Sequence, residues 1–465
     1  MKISIGEFNS DISDMYPKIP VPDVAEAISK SGAEVVGVEE GGGEIPQLAK
    51  DLGWPYYDVR TQIVSKYPLI SPPGGANLFD LVEPAPGQVF ALENVHLPSS
   101  GYGPMRVRNG ATPAQLMAGE QGRLTAIRSA LSAIRAVRSQ GIPTFLVGDF
   151  NSPSALDWTT AAVGVRKYRP FAFKWPVSEI VLRAGFTDSY RSVYPDPTTD
   201  LGITWPAVKS PTGPAATKPA DRIDFIYSSG KAAATASRIV GEPGAPEISA
   251  SVDPWPSDHR AIASDFQVTL ATPRTFVSAL PQLVAVGTPI TVAYHAPGNA
   301  DSLSIEPADP NGVAPAPVGL AATGTSDGSV QVATDALSPG AYQLRLHASD
   351  GSVLASAPVW VERAGQQPVV STSKSSYRVG EAIDVSWSWA PGDRFDWIGI
   401  YHRGADPNVA YYIDWLYTEA RTAGSLKMGG SAHGRWPLPP GRYSVYLLKD
   451  DLYVKIAGAN FTIRG

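Results

Sequence analysis

The chain has 465 residues, too many for one ordinary domain, and its 43% hydrophobic and 18% charged residues exclude a chain that is disordered throughout. A net charge of −6 argues against a broad basic surface for nucleic acid, though not against a small phosphorylated substrate held by a few side chains. Having no cysteine, the chain cannot form disulfides, thiolate metal sites or a cysteine nucleophile.

In chain order, residues 3–8 read as a strand, ending in EFNSD. PDVAEAISKSG (22–32) reads as a helix, with proline early and glycine at its end. VVGV (35–38) and VFALENVHL (89–97) read as buried strands. A helix is expected after Thr112-Pro113, carrying the stripe Leu124, Ile127, Leu131, Ile134 and Val137 and stopping at Gly141. TFLVGD (144–149), DRIDFIY (221–227) and HRAIASDFQV (259–268) complete a mixed region of helices and strands.

ATPRT (271–275) reads as a linker, and beyond it the helical signal nearly vanishes. The tail repeats itself: VGTPITV (286–292) matches VGEAIDV (379–385), APG recurs at 296–298 and 390–392, and PGAYQL (339–344) matches PGRYSV (440–445). Two all-β units are expected, at 276–363 and 368–465, joined by RAGQQP (363–368).

Polar residues cluster where apolar strands end. These are Asn9 and Asp11, Glu39 and Glu40, His96, Asp149 and Asn151, Asp221 and Asp224, and Asp258 with His259. Singly they are unremarkable, since a Gly-Asp pair after a strand is usually a turn. As a set they supply oxygen donors for a hard cation and imidazoles for phosphoryl oxygens. A zinc centre fits less well, because closely spaced histidine pairs such as HExxH are missing.

The motifs EFNSD, VVGVEE, SKYPL, NVHL, GDFN, RIDFIY and SDH, in that order over 1–270, resemble the endonuclease/exonuclease/phosphatase superfamily. The resemblance implies an α+β four-layer sandwich, two packed β-sheets flanked by helices, followed here by the two all-β sandwich modules. It implies metal ligation by Glu40 with Asn9, Asp11 and Asp258, and catalytic roles for His96, Asp149, Asn151, Asp224 and His259. Glu39 stands where the family usually has Gln and is expected to add charge near the metal. The implied cofactor is a divalent metal, Mg²⁺ first, with Mn²⁺ or Ca²⁺ as alternatives. The implied reaction is in-line attack of water on phosphorus, with Asp149 or His259 taking the proton.

The last module carries DWIGIY and LPPGRY and resembles SKICH-type β-sandwich domains, so the tail is expected to bind a membrane surface or a glycan. Trp387, Trp389, Trp397 and Trp415 form either a binding patch or core. The module at 276–363 shows no chemistry. The glycine- and proline-rich loop 98–119 is expected to border the cleft and influence substrate choice.

The expected substrate is a small or lipid-linked phosphoester, cleaved by a phosphodiesterase or a phosphatase. The first alternative is a secreted non-specific nuclease, suggested by the interleaved basic and aromatic residues of RKYRPFAFK (166–174). The second is a non-catalytic binding protein on the same fold, which the complete residue set opposes. No apolar run is long enough for a membrane helix. The composition suits an exported protein that has lost its signal peptide, with a cytoplasmic one as the alternative.

Overall fold

The computed structural model describes residues 1–12, 20–72, 78–207, 219–296, 300–308, 318–320, 327–429, 436–450 and 452–465. One unit comprises Met1–Ile70 and Phe79–Arg274, and Thr275–Gly465 belongs to a second.

The first unit is two β-sheets between helices. Its strands are β1 (Lys2–Glu7), β2 (Val35–Gly37), β3 (Tyr56–Asp58), β4 (Ile63–Ser65), β5 (Leu69–Ile70), β6 (Phe79–Ala85) and β7 (Gln88–His96). They continue as β8 (Thr144–Asp149), β9 (Thr187–Asp188), β10 (Asp224–Ser229), β11 (Ala232–Gly241), β12 (Ile248–Ser251) and β13 (Ala261–Val268). One sheet runs β12-β11-β13-β1-β2-β4-β3 and the other β5-β6-β7-β8-β10-β9. Helices α1 (Val21–Ser31) and α2 (Ile45–Leu52) cover the outer face of the first sheet through Val24, Ile28, Ile45 and Leu48, which pack with Phe8, Val36 and Ala263.

Strand alternation then fixes what the sheets share. With Phe8 facing the helices, Ile3, Ile5, Glu7 and Asn9 point toward the other sheet. Phe145 of β8 meets Phe266 of β13 edge-on at 4.8 Å across the inter-sheet core. The same parity in the second sheet aims His96, Asp149 and Asp224 inward, at the strand ends where this apolar core stops.

The long helix expected after Pro113 is three consecutive pieces, α3 (Pro113–Gly119), α4 (Gln121–Ala133) and α5 (Arg135–Arg138). Thr112 caps the first with a reciprocal bond to Gln115. Leu124, Ile127, Ile134 and Val137 are buried as the periodicity requires, while Leu131 is half-buried.

The second unit holds the repeat. Each half pairs a three-stranded sheet with a five-stranded one, and in each a short early strand lies parallel to the half's last strand. The matched motifs perform matched tasks. Gly287 and Gly380 turn the chain at φ +88° and +82° just before a core strand. Tyr342 and Tyr443 each donate their hydroxyl to the carbonyl four residues back, Ser338 and Pro439. The first APG cannot be compared, because Pro297 and Gly298 lie outside the described residues.

The four tryptophans do not form one patch. Trp387 is buried in the sandwich core, and Trp389 packs edge-on against Trp360. Trp397 and Trp415 join Tyr401, Tyr412 and Tyr446 in a separate aromatic cluster.

Candidate phosphoesterase site

Five chain segments meet at Asp149. The parallel register of β7 and β8 sets His96 beside Asp149, and the antiparallel register of β8 and β10 sets Asp224 beside it. Asn9 follows β1, Glu40 follows β2, and His259 immediately precedes β13. Each strand contributes one or two polar side chains at the end where its apolar run stops.

Asp149 is fully buried and is the hub. Its Oδ1 accepts the backbone N–H of Asn151 (2.7 Å), and its Oδ2 accepts Nδ2 of Asn9 (3.2 Å) and Nδ2 of Asn151 (2.9 Å). His96 Nε2 lies 3.7 Å from Asp149 Oδ2 and 3.7 Å from Glu40 Oε1. Asn9 also donates to Glu40 Oε1 (3.2 Å). Burial, reinforced by the neighbouring Asp224 carboxylate, pushes the Asp149 pKa up to about 6.

His259 is held from behind. Its Nδ1 lies 3.0 and 3.1 Å from the two oxygens of Asp224, and its backbone N–H donates to Ser257 Oγ, which itself donates to Asn9 O. Burial works against the charged imidazole, but Asp224 and Asp149 outweigh it and raise the His259 pKa to about 10. The ring is therefore an imidazolium at neutral pH, with Nε2 3.9 Å from Asp149 Oδ2.

The backbone is constrained here. Asp11, Glu40 and Asn151 adopt positive φ of 56°, 55° and 48°, as does the neighbouring Gln62 at 53°, whose Oε1 accepts the N–H of Gly41. Gly148 has φ +134°, and a Cβ placed on it would lie 1.8 Å from the carbonyl oxygen of Val95. Glycine in GDFN is thus a steric requirement of the β7–β8 pairing that brings His96 to Asp149.

Not every expected residue joins the hub. Asp258 is 62% exposed; its Oδ2 accepts the indole N–H of Trp205 (2.9 Å) and its Oδ1 lies 3.8 Å from His259 Nε2. Asp11 is half-buried on the turn beyond Asn9. Glu39 differs from expectation: it points into the inter-sheet core, where its carboxyl is hydrogen-bonded to that of Glu7. Burial of the two carboxyls together opposes their ionisation, so Glu39 is not a simple added charge at a metal. Burial pushes Glu7 well above the usual carboxylate range, with Asp224 and Glu39 adding to it, and pushes Glu39 up to about 7.

RKYRPFAFK turns part of its basic and aromatic residues inward and leaves Lys167, Pro170, Ala172 and Lys174 exposed. Tyr168 and Phe173 are buried in a cluster with Trp158 and Trp175, and Arg169 is buried against Asp221. Sequence reasoning gave no part to Glu7 or Trp205, and reached Tyr102 only as a member of loop 98–119. The signal for Glu7 was its parity with Asn9, two residues along one strand.

The donor set fits a hard divalent cation. Oδ1 of Asn9 is buried without a hydrogen-bond partner, and the Glu40 carboxylate beside it is 30% exposed, which leaves oxygens facing the mouth. Asp149, Asp224 and His259 also place one ligand atom each within 4.8 Å of one another. That trio is a poorer cation site, because His259 is an imidazolium whose Nδ1 is already bound to Asp224.

Comparison with known proteins finds the family that the motifs resemble. A model of the Endonuclease/Exonuclease/phosphatase family matches residues 18–259. A relative from Caenorhabditis elegans, Uncharacterized protein F14F9.5, is 29% identical over 194 residues, covering 39% of this chain and 60% of its own length. Among solved structures, the endonuclease/exonuclease/phosphatase from Beutenbergia cavernae DSM 12333 is 16% identical, covering 77% of this chain and 99% of its own, with a TM-score of 0.36. D. rerio TDP2 complexed with single strand DNA product is 15% identical, covering 57% of this chain and 99% of its own, with a TM-score of 0.37. With the family model spanning just over half of its 465 residues, the chain belongs to the Endonuclease/Exonuclease/phosphatase family.

Proposed function

We propose that the first unit is a metal-dependent hydrolase of phosphoester bonds, acting on a small or lipid-linked phosphodiester by in-line attack of water. The observation that carries this reading is the pairing at Asp149, where a buried carboxylate with a pKa of about 6 faces an imidazolium with a pKa of about 10. Between pH 6 and 10 the first can accept a proton while the second can only donate. This supports Asp149 as the base that deprotonates the attacking water, and His259 as the donor to a non-bridging phosphoryl oxygen. Asp224 holds the His259 ring through Nδ1 and keeps it charged.

Asn151 ties the Asp149 carboxylate to the loop after β7 through its second bond, to Leu97 O (3.0 Å). His96, on the far side of Asp149, is placed to donate to a second phosphoryl oxygen. A divalent cation bound by Glu40 and Asn9, Mg²⁺ first and Mn²⁺ or Ca²⁺ as alternatives, would neutralise charge building on the phosphoryl group. The new bond is water oxygen to phosphorus, the bond opposite it breaks, and the leaving alkoxide takes a proton from solvent water while Asp149 returns its own to solvent, with no covalent enzyme intermediate.

The nuclease alternative loses its sequence support with the burial of Tyr168, Arg169 and Phe173. The test is a panel of bis-p-nitrophenyl phosphate, p-nitrophenyl phosphate, plasmid DNA, sphingomyelin and inositol phosphates with each metal, beside His259→Ala. Loss of one such donor is expected to lower turnover by on the order of 10²–10³. Turnover of the diester that survives the substitution undiminished would overturn the mechanism.

A further inference from the structure

The side of the mouth next to His259 is an aromatic wall with its own anchor. Tyr102, in the loop that follows His96, donates its hydroxyl to Oδ2 of Asp221 (3.3 Å). Trp205 and Asp221 exchange backbone hydrogen bonds, Trp205 N–H to Asp221 O (3.1 Å) and Asp221 N–H to Trp205 O (2.9 Å). Asp221 is fully buried, and its Oδ1 accepts Nη2 of Arg169 (2.6 Å) and Nε1 of Trp158 (3.0 Å). One residue therefore fixes both aromatic side chains, Asp221 holding Tyr102 through its charge-paired carboxylate and Trp205 through its backbone.

The two rings meet edge-on, with centroids 5.2 Å apart at 78°. The Trp205 ring lies 6.3 Å from the imidazole of His259, close enough to touch a group esterified to a phosphate held there. Both residues are half-buried, so each keeps some surface in solvent. The only polar atom of the indole is already bound to Asp258. What Trp205 can offer a ligand is hydrocarbon and π surface, which suits a flat, apolar ring and gives a short aliphatic group little to contact.

We propose that Tyr102 and Trp205 form a specificity wall that receives the ester arm of the substrate and favours flat, ring-bearing alcohols over short aliphatic ones. This rests on the phosphoesterase reading, but its test does not require turnover. Binding of diphenyl phosphate and dimethyl phosphate, which carry the same charge, is measured by calorimetry on the full chain with Mg²⁺.

Stacking and burial of one ring are expected to favour the diphenyl ester about tenfold in the wild type. Trp205→Ala should reduce the preference to within about twofold, while Trp205→Phe, which keeps a ring but loses the bond to Asp258, should retain most of it. If Trp205→Ala loses its near-UV spectrum, Tyr102→Leu carries the same test, because it leaves the Trp205–Asp221 backbone pair intact. Equal affinities in the wild type, no binding of either ester, or a preference unchanged in Trp205→Ala would each overturn the wall. A ring preference that follows Trp205 in a protein hydrolysing nothing would keep the wall and sink the hydrolase reading.

Discussion

Glu39→Gln should stabilise the protein at alkaline pH and do little at acid pH. Glu39 and Glu7 are fully buried, with carboxyls that bond to each other, and no arginine or lysine is among the main influences on either. Burial raises Glu39 from an ordinary 4.5 to about 7 in the folded chain. A carboxyl with a raised folded pKa holds its proton more tightly in the folded than in the unfolded state. Its contribution is therefore intact below about 4.5 and lost as pH rises toward 7. The shift corresponds to roughly 3 kcal/mol of lost stability at pH 8.5, an upper value because the neighbouring Glu7 carboxyl titrates with it. Gln cannot ionise and keeps a donor and an acceptor for Glu7. The assay is a urea series in EDTA at pH 5 and 8.5, read by hydrogen exchange on peptides covering β1 and β2. Stabilisation of the variant by about 2–3 kcal/mol at pH 8.5, and by under about 0.5 at pH 5, is expected. A substitution effect that is the same at both pH values would refute the burial of an ionisable Glu39 as the cause.

Four further outcomes follow from the structure. The pH profile of kcat/KM should fall below about 6, where Asp149 gains a proton, and above about 10, where His259 loses one. Asp224→Asn removes the strongest influence raising His259 and should move the alkaline limb down by at least one pH unit; an unmoved limb would exclude His259 as the group responsible. Gly148→Ala should destabilise the first unit by more than about 4 kcal/mol, read by thermal unfolding, since its Cβ would collide with Val95 O; a melting temperature near wild type would contradict the strand geometry. Asp157→Ala should cost about 3–5 kcal/mol in a urea titration, because buried Arg191 and Arg222 both depend on that carboxylate; a loss below about 1 kcal/mol would show the network to be dispensable.

Much of the site was legible because each residue ends an apolar strand. Strand ends gather the candidates, and the motif order, through the resemblance to the family, singles out Asn9, Glu40, His96, Asp149, Asp224 and His259 without coordinates. Sequence could not say which carboxylates would share a cavity. Glu39 and Glu40 are neighbours in the chain, yet one is buried with Glu7 and the other reaches the mouth, a division set by the left-handed turn at Glu40. Nor could it separate the candidate bases, because what keeps His259 protonated at neutral pH, and so leaves Asp149 as the acceptor, is the buried Asp224 carboxylate behind the imidazole. RKYRPFAFK misled for a related reason. Arg169 is satisfied by Asp221, 52 residues away, and no local pattern carries that distance. The helix after Pro113 was found by its apolar stripe, but its breaks at Glu120 and Ile134 leave that stripe unchanged.

The most direct test of the central claim is hydrolysis of bis-p-nitrophenyl phosphate by the EDTA-treated full chain, with and without added Mg²⁺, for the wild type and Asp149→Asn. The account predicts turnover that requires the metal, and a loss of at least about 10² in the variant with its circular dichroism spectrum unchanged. Turnover without metal, or equal rates in the two proteins, would contradict it.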